Sequence, residues 1–335
     1  MKKRLLFIGY SFHEKTGSSD FIIKLLREQF EVEICRADLT EEQPFEMLKD
    51  YAGDYDSVIC WQVMPPLKIL KQHISFRHAA LFPMADGCPN IKKVEKWYPY
   101  REFQIICFSK ELYGDLKSAG FSAQYYQYFP KPIPFENWGE NQSAFFWARR
   151  EEVNCNLISK LFEFSKINHI HIHKVPDPGT KFTPPESDHQ LNYTFSTWFD
   201  NKDELSDKIT DSSCYIAARI KEGIGMSFLE AMAMGRCVIA ADRTTMNEYI
   251  QHGANGLLYD PKNPIPLAEH DIRSLQENAV ESIRRGYESW RVAKYEMVDF
   301  MTKPATYRLS RITMRMIRRA FKNPYKVIKS LRATP

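Results

Sequence analysis

Short, almost uninterrupted apolar runs recur along this chain, and segments with helical periodicity separate most of them. RLLFIGY (4–10), SVICWQV (57–63), AALFPMA (79–85) and QIICFS (104–109) read as such strands, and the alternating EVEIC (31–35) reads as another strand. FIIKLLREQF (21–30) and KELYGDLKSAG (110–120) place apolar side chains at helical spacing between them. A strand apolar at every position, not every second one, must be covered on both faces, which predicts parallel sheets wrapped by helices. The pattern breaks at YFPKPIPFENWGENQS (128–143), whose prolines, asparagines and glycines read as a linker. It then restarts with SAFFWA (143–148), NHIHIHKV (168–175), SCYIAA (213–218) and RCVIAA (236–241), while 176–192 reads as a loop and 267–300 as helix. The prediction is α/β: two successive doubly wound, Rossmann-like domains facing a central cleft, over 1–135 and 136–300, followed by a tail, 301–335. At 335 residues the chain exceeds the usual size of one hydrophobic core, which agrees with two.

The tail differs from the rest in charge. Residues 301–335 contain ten Lys or Arg and no Asp or Glu, in a chain whose net charge is only +4. Leu309, Ile312, Met316 and Ala320 fall at helical spacing among Arg308, Arg311, Arg315, Arg318, Arg319 and Lys322. Such a basic amphipathic segment suits an anionic membrane surface, although packing its apolar stripe back onto the first domain is an alternative use. No basic surface interleaved with aromatics points to a nucleic-acid partner. The seven cysteines are scattered and odd in number, as expected of reduced thiols in the cytoplasm.

In doubly wound sheets ligands bind beyond the carboxyl ends of the strands, so strand ends are where chemistry is sought. One segment stands out: Arg219-Ile220-Lys221-Glu222-Gly223-Ile224-Gly225-Met226-Ser227-Phe228-Leu229-Glu230-Ala231-Met232-Ala233-Met234-Gly235. A strand ends before it, glycines let the backbone approach a ligand, and a helix starts after it. The free amides and positive dipole end of that helix suit a phosphate. Glu222 and Glu230 cannot bind phosphate, but they accept hydrogen bonds from sugar hydroxyls.

This segment resembles the Glu-x7-Glu signature of the retaining GT-B glycosyltransferases of family 4. The likeness continues through CVIAADRTTMNEYIQHGANGLLYD (237–260), and more weakly through FFWARREE (145–152) and FSKELYGDLKSAGF (108–121). The resemblance implies a GT-B fold, a nucleotide-sugar donor and no cofactor or catalytic metal. Glu222 would then bind the donor sugar and Glu230 the nucleotide ribose. Arg149 would hold the diphosphate, and amides around Gly223, Gly225 and Met226 the sugar–phosphate end. Asp86 stands where the family carries a histidine, and Gly17 in the place of its first glycine loop. The family's diphosphate-binding lysine falls on Asn154, which leaves Arg150, Arg219 or Lys221 as substitutes. Thr244 and Thr245 replace a glycine pair. The implied activity is retaining transfer of a hexose from a UDP- or GDP-sugar to a glycan, lipid-linked and destined for a bacterial surface polysaccharide. The enzyme would work peripherally at the inner face of the cytoplasmic membrane. A GT-B partner subunit without turnover is the rival reading.

Two other patterns have plainer explanations. Asp54-Tyr55-Asp56 imitates a metal-binding Asp-x-Asp, but it enters a strand at the amino end, the wrong edge. His169, His171 and His173 alternate on one predicted strand face, where packing is expected over metal binding.

Overall fold

The computed structural model describes residues 2–38, 45–91, 93–185, 191–199 and 201–308. The chain divides into two compact units, Met1–Tyr126 with Ala293–Pro335, and Gln127–Val292. The basic residues predicted as a helix beyond Arg308 lie outside the described residues.

The first unit is built on β1 (Lys3–Tyr10), β2 (Phe30–Ala37), β3 (Gly53–Trp61), β4 (Ile74–Phe82), β5 (Gln104–Cys107) and β6 (Ala123–Tyr125). These form one sheet in the order β2-β1-β3-β4-β5-β6, with every neighbouring pair parallel. Leu5, Leu6, Phe7 and Ile8 of β1 are all buried. Because successive strand residues point to opposite faces, four in a row require cover on both. The helix Asp20–Gln29 supplies part of it, burying Ile22, Ile23, Leu25 and Leu26. Each such side chain stabilises the unit by roughly 1.5–3 kcal/mol. The end of the described chain is fastened to this unit as well. Gln104 Nε2 donates to the Lys303 and Pro304 carbonyls at 3.3 and 3.1 Å, and Arg308 N donates to the Gly120 carbonyl at 2.9 Å.

The second unit carries β7 (Glu140–Trp147), β8 (His169–His173), β9 (Asn192–Ser196), β10 (Ser212–Ile216), β11 (Cys237–Ala241) and β12 (Leu257–Tyr259). Their order is β12-β11-β10-β7-β8-β9, again parallel throughout. In both sheets the chain winds one way and then the other. The direction reverses between β1 and β3 in the first unit and between β7 and β10 in the second.

Residues 128–143, expected to link domains, are instead clamped onto the second unit. Tyr128 N donates to Tyr249 Oη at 3.1 Å. Arg236, fully buried, donates to the Asn137, Thr210, Ser212 and Met234 carbonyls. Burial lowers its pKa to about 10, which leaves it charged at neutral pH. Gln276 Nε2 reaches three carbonyls, those of Trp138, Ser213 and Gly235. Proline and glycine in this segment signalled irregular backbone, and its carbonyls found partners in tertiary contacts that sequence does not display. β6 and β12, three residues each, likewise escaped the periodicity argument, and β9, NYTFS at the sheet edge with no residue buried, carries no apolar run to reveal it.

The histidines of β8 pack and hydrogen-bond. Thr194 Oγ1 joins His169 Nε2 and His171 Nδ1, and Ser196 Oγ joins His171 Nε2 and His173 Nδ1, at 2.9–3.2 Å. Burial, and then the neighbouring His171, lowers the His173 pKa to about 4. Asp56, at the amino end of β3, accepts from the Arg4 backbone at 3.0 Å.

Candidate functional site

The reversal between β7 and β10 opens a crevice at the carboxyl edge, and in such sheets ligands bind there. Arg149 and Arg150 lie just beyond the end of β7, and Arg219 just beyond that of β10. They converge on one carboxylate. Asp177, in the loop after β8, meets Arg149 Nε at 2.9 Å, Arg150 Nε at 2.8 Å and Arg219 Nη2 at 2.9 Å. Burial pushes the Asp177 carboxyl up, but Arg149 and Arg219 outweigh it and hold the group below its usual range. Three guanidiniums on one carboxylate leave a net charge of about +2, and the Arg149 and Arg150 side chains stay 30% and 38% exposed. That is the electrostatic complement of a diphosphate.

The loop holding these groups is tied together internally. Asp177 N donates to the Arg149 carbonyl at 3.0 Å, and Thr180 Oγ1 does so at 2.9 Å. Arg149 also lies over the Trp147 ring, 5.1 Å from its centroid. A cavity of about 270 Å³ adjoins, lined by Arg149, Arg150, Asn154, Lys181 and Thr183 among others. A more open depression of about 420 Å³ at Lys71–Phe76 lies at the amino end of β4, on the edge where such sheets do not bind ligands.

Beside the arginines stands the glycine loop. Gly225 caps the helix Met226–Ala233 with φ +81°, and a Cβ there would lie 1.9 Å from Phe228 Cε1. No other residue fits that combination of backbone and packing. Lys221 and Glu230 are exposed, Glu222, Met226 and Ser227 are half-buried, and Gly223 is buried. Beneath them Tyr215 is buried. Burial raises its pKa to about 12, despite a hydrogen bond with Ser227.

Thr245 is drawn into this loop from the next strand–helix junction. Its Oγ1 donates to the Glu222 carbonyl at 2.7 Å, and its φ of +76° keeps the left-handed geometry that suits glycine. Glu248 caps the following helix by accepting from Thr244 Oγ1 and the Thr245 amide. Thr245 is fully buried, so it braces the loop and offers nothing to a ligand surface. Asn154 also serves the backbone: its side chain accepts from Leu157 N at 3.0 Å as a helix cap. Asp86 and Gly17 belong to the first unit. Asp86 is exposed in a turn after β4, and Gly17, at φ +64°, ends the short helix Phe12–Thr16.

Sequence reasoning missed Asp177 and Lys181. Both lie in a stretch read as loop, and the one available signal was a carboxylate held in Pro-Asp-Pro-Gly after the end of a strand.

Two parallel doubly wound units, the second with a cationic crevice beside a glycine-loop helix start, define a GT-B fold. Residues 187–288 match the family model for glycosyl transferases group 1. Solved structures with the same fold include the apo form of the lipopolysaccharide outer core galactosyltransferase WaaB (TM-score 0.57, 14% identity, covering 89% of this chain and 99% of that one). The sucrose-phosphate synthase of Thermosynechococcus elongatus is similar at TM-score 0.56 and 11% identity over 89% of this chain and 100% of that one. Anabaena HepE in complex with UDP-glucose reaches TM-score 0.54 at 12% identity, over 89% and 99%. No curated protein matches the chain by sequence.

Proposed function

We propose that this protein is a retaining hexosyltransferase that moves a sugar from a UDP- or GDP-sugar to a glycan on a lipid carrier, in bacterial surface polysaccharide synthesis. The observation that carries this reading is the cluster of Arg149, Arg150 and Arg219 around Asp177, at the reversal point and beside the helix that Gly225 opens. A diphosphate leaving group gains negative charge as the glycosidic bond breaks. Fixed guanidiniums and helix amides that strengthen their hold as that charge develops lower the barrier. Glu222 accepts hydrogen bonds from the donor sugar and Glu230 from the ribose. The departing phosphate oxygen takes the proton of the incoming hydroxyl on the same face, so configuration is retained without a protein base. Arginine charge does the work that a divalent cation does in other transferases, and activity is expected to persist in EDTA. The first unit binds the acceptor, with Asp86 and Gly17 on its carboxyl edge, and the basic tail holds the enzyme against anionic lipid.

A thermal-shift screen across UDP-, GDP-, ADP- and dTDP-sugars tests the donor assignment, because only a ligand of the folded state raises the midpoint. No shift with any of them would overturn it. The second reading, a donor-binding subunit without turnover, draws on Asn154, which caps a helix where the family has a cation. Donor hydrolysis or transfer by the isolated chain decides between the two. For the tail, deleting 309–335 is expected to abolish sedimentation with anionic liposomes at low salt and to spare donor binding.

A further inference from the structure

The chain enters the second unit at Gln127, and its first three residues there are all held by one short helix, Met246–Tyr249. Gln127 Nε2 donates to the Glu248 carbonyl at 2.9 Å, and Tyr128 N donates to Tyr249 Oη at 3.1 Å. The Phe129 ring meets the Tyr249 ring edge-on, with centroids 5.2 Å apart. Phe129 fits there because Gly286 has no side chain: a Cβ on it would lie 2.2 Å from Phe129 Cε1. A helix interior disfavours glycine, and what this one admits is the Phe129 ring.

The same helix reaches the glycine loop by two routes. Tyr249 packs edge-on against Phe228, 5.8 Å between centroids, and Phe228 fills the space that Gly225 leaves open. The Glu248 carboxylate accepts from the Thr245 amide, and Thr245 Oγ1 holds the Glu222 carbonyl. A third link bypasses the helix. Burial raises the Tyr128 pKa and the Glu230 carboxylate adds to the effect, so Tyr128 lies within the field of that glutamate. Tyr249 itself is buried. A phenylalanine would pack its two ring contacts equally well, whereas a buried hydroxyl is costly unless it is used. Its use here is to accept the Tyr128 amide.

We propose that Tyr249 is a positioning residue for the donor loop. It ties the point where the chain enters the second unit to Gly225 and, through its neighbour Glu248, to Glu222, so that the loop and residues 127–129 take up their places together. Coupling of this kind is reciprocal, and a ligand that fixes the loop also fixes residues 127–129. That the loop binds a sugar nucleotide rests on the proposed function; the coupling does not.

Hydrogen exchange on the full chain, with and without UDP, tests this, and calorimetry follows UDP affinity. Tyr249→Phe keeps both ring contacts and removes only the hydroxyl. Amides of residues 222–226 are expected to exchange about three- to tenfold faster in Tyr249→Phe and in Gln127→Ala, the scale of one hydrogen bond. UDP affinity falls by a similar factor in each, and the double variant loses less than the product of the two. UDP slows exchange at Tyr128 and Phe129 in the wild type, and does so less in Tyr249→Phe. Ile170→Val, in the buried core of β8, is the control for a comparable general loss of stability, and it leaves exchange at 222–226 unchanged. Wild-type exchange at 222–226 in both variants, or equal acceleration in Ile170→Val, overturns the role. Faster loop exchange in Tyr249→Phe by a chain that does not bind UDP upholds the role and sinks the donor assignment.

Discussion

The two sheets reverse direction in the same way, yet the edges beyond their reversal points are chemically opposite. In the second unit, three arginines share one carboxylate and a glycine opens a helix beside them. In the first, the stacked rings of Tyr10 and Phe12, the His13 imidazole and the Gln62 amide occupy the equivalent place, and Arg36 there is already paired with Glu14. A parallel sheet dictates where side chains can converge, and leaves open what converges there. One scaffold used twice thus carries a cationic edge in one unit and an aromatic edge in the other. Burial reinforces the contrast: it lowers the His13 pKa against the opposing hydrogen bond to Gln62, with Arg36 adding to the effect.

Substitutions in the second unit sharpen this comparison. The largest effect is expected from Gly225→Ala. A side chain there combines left-handed backbone strain with overlap on Phe228, for a loss of about 2–5 kcal/mol in chemical denaturation. Unchanged stability would mean that the loop is not set as described. Glu222→Gln should cut turnover and Glu230→Ala should chiefly weaken nucleotide binding, each roughly tenfold to a hundredfold, the scale of one charged hydrogen bond. Steady-state kinetics with the donor found by thermal shift separate the two, and wild-type values in both would remove them from the site.

Asp177→Ala tests how the cationic edge is organised. Losing the anchor frees three long side chains, and UDP affinity is expected to fall about three- to tenfold even though net positive charge rises. A tighter complex would instead identify Asp177 as an anion that competes with the ligand. A separate test concerns pH. His173 is neutral in the fold, with its pKa lowered to about 4, against about 6.5 in an unfolded chain. The unfolded state therefore binds more protons between these values, and stability from this group, complete above about pH 6.5, declines as pH falls toward 4. Denaturation at pH 7.5 and 5 should show His173→Gln losing about 1–2 kcal/mol less than wild type between the two conditions.

Near-continuous apolar strands and intervening helices were readable because burial on two faces leaves a run of contiguous apolar residues, as in Leu5–Ile8. The loop from Lys221 to Gly225 and the helix after it were readable because glycine, helix start and carboxylates are contiguous. Arg149 was found only through its place after a strand, with the family resemblance to give that place a meaning. Contacts between segments distant in the chain left no such trace. Asp177 lies 28 residues from Arg149 and 42 from Arg219, Thr245 reaches Glu222 from 23 residues away, and His13 meets Gln62 across 49.

By itself, then, the sequence determined the α/β alternation and the glycine loop with the helix start that follows it, since each follows from local periodicity or local backbone conformation. Only the tertiary structure decided which carboxylate gathers the arginines, which threonine braces the glycine loop and which unit takes residues 128–143. Those outcomes depend on which strands lie side by side. Strand order is chosen by the burial of whole faces, a property of the assembled sheet that no short stretch of sequence carries.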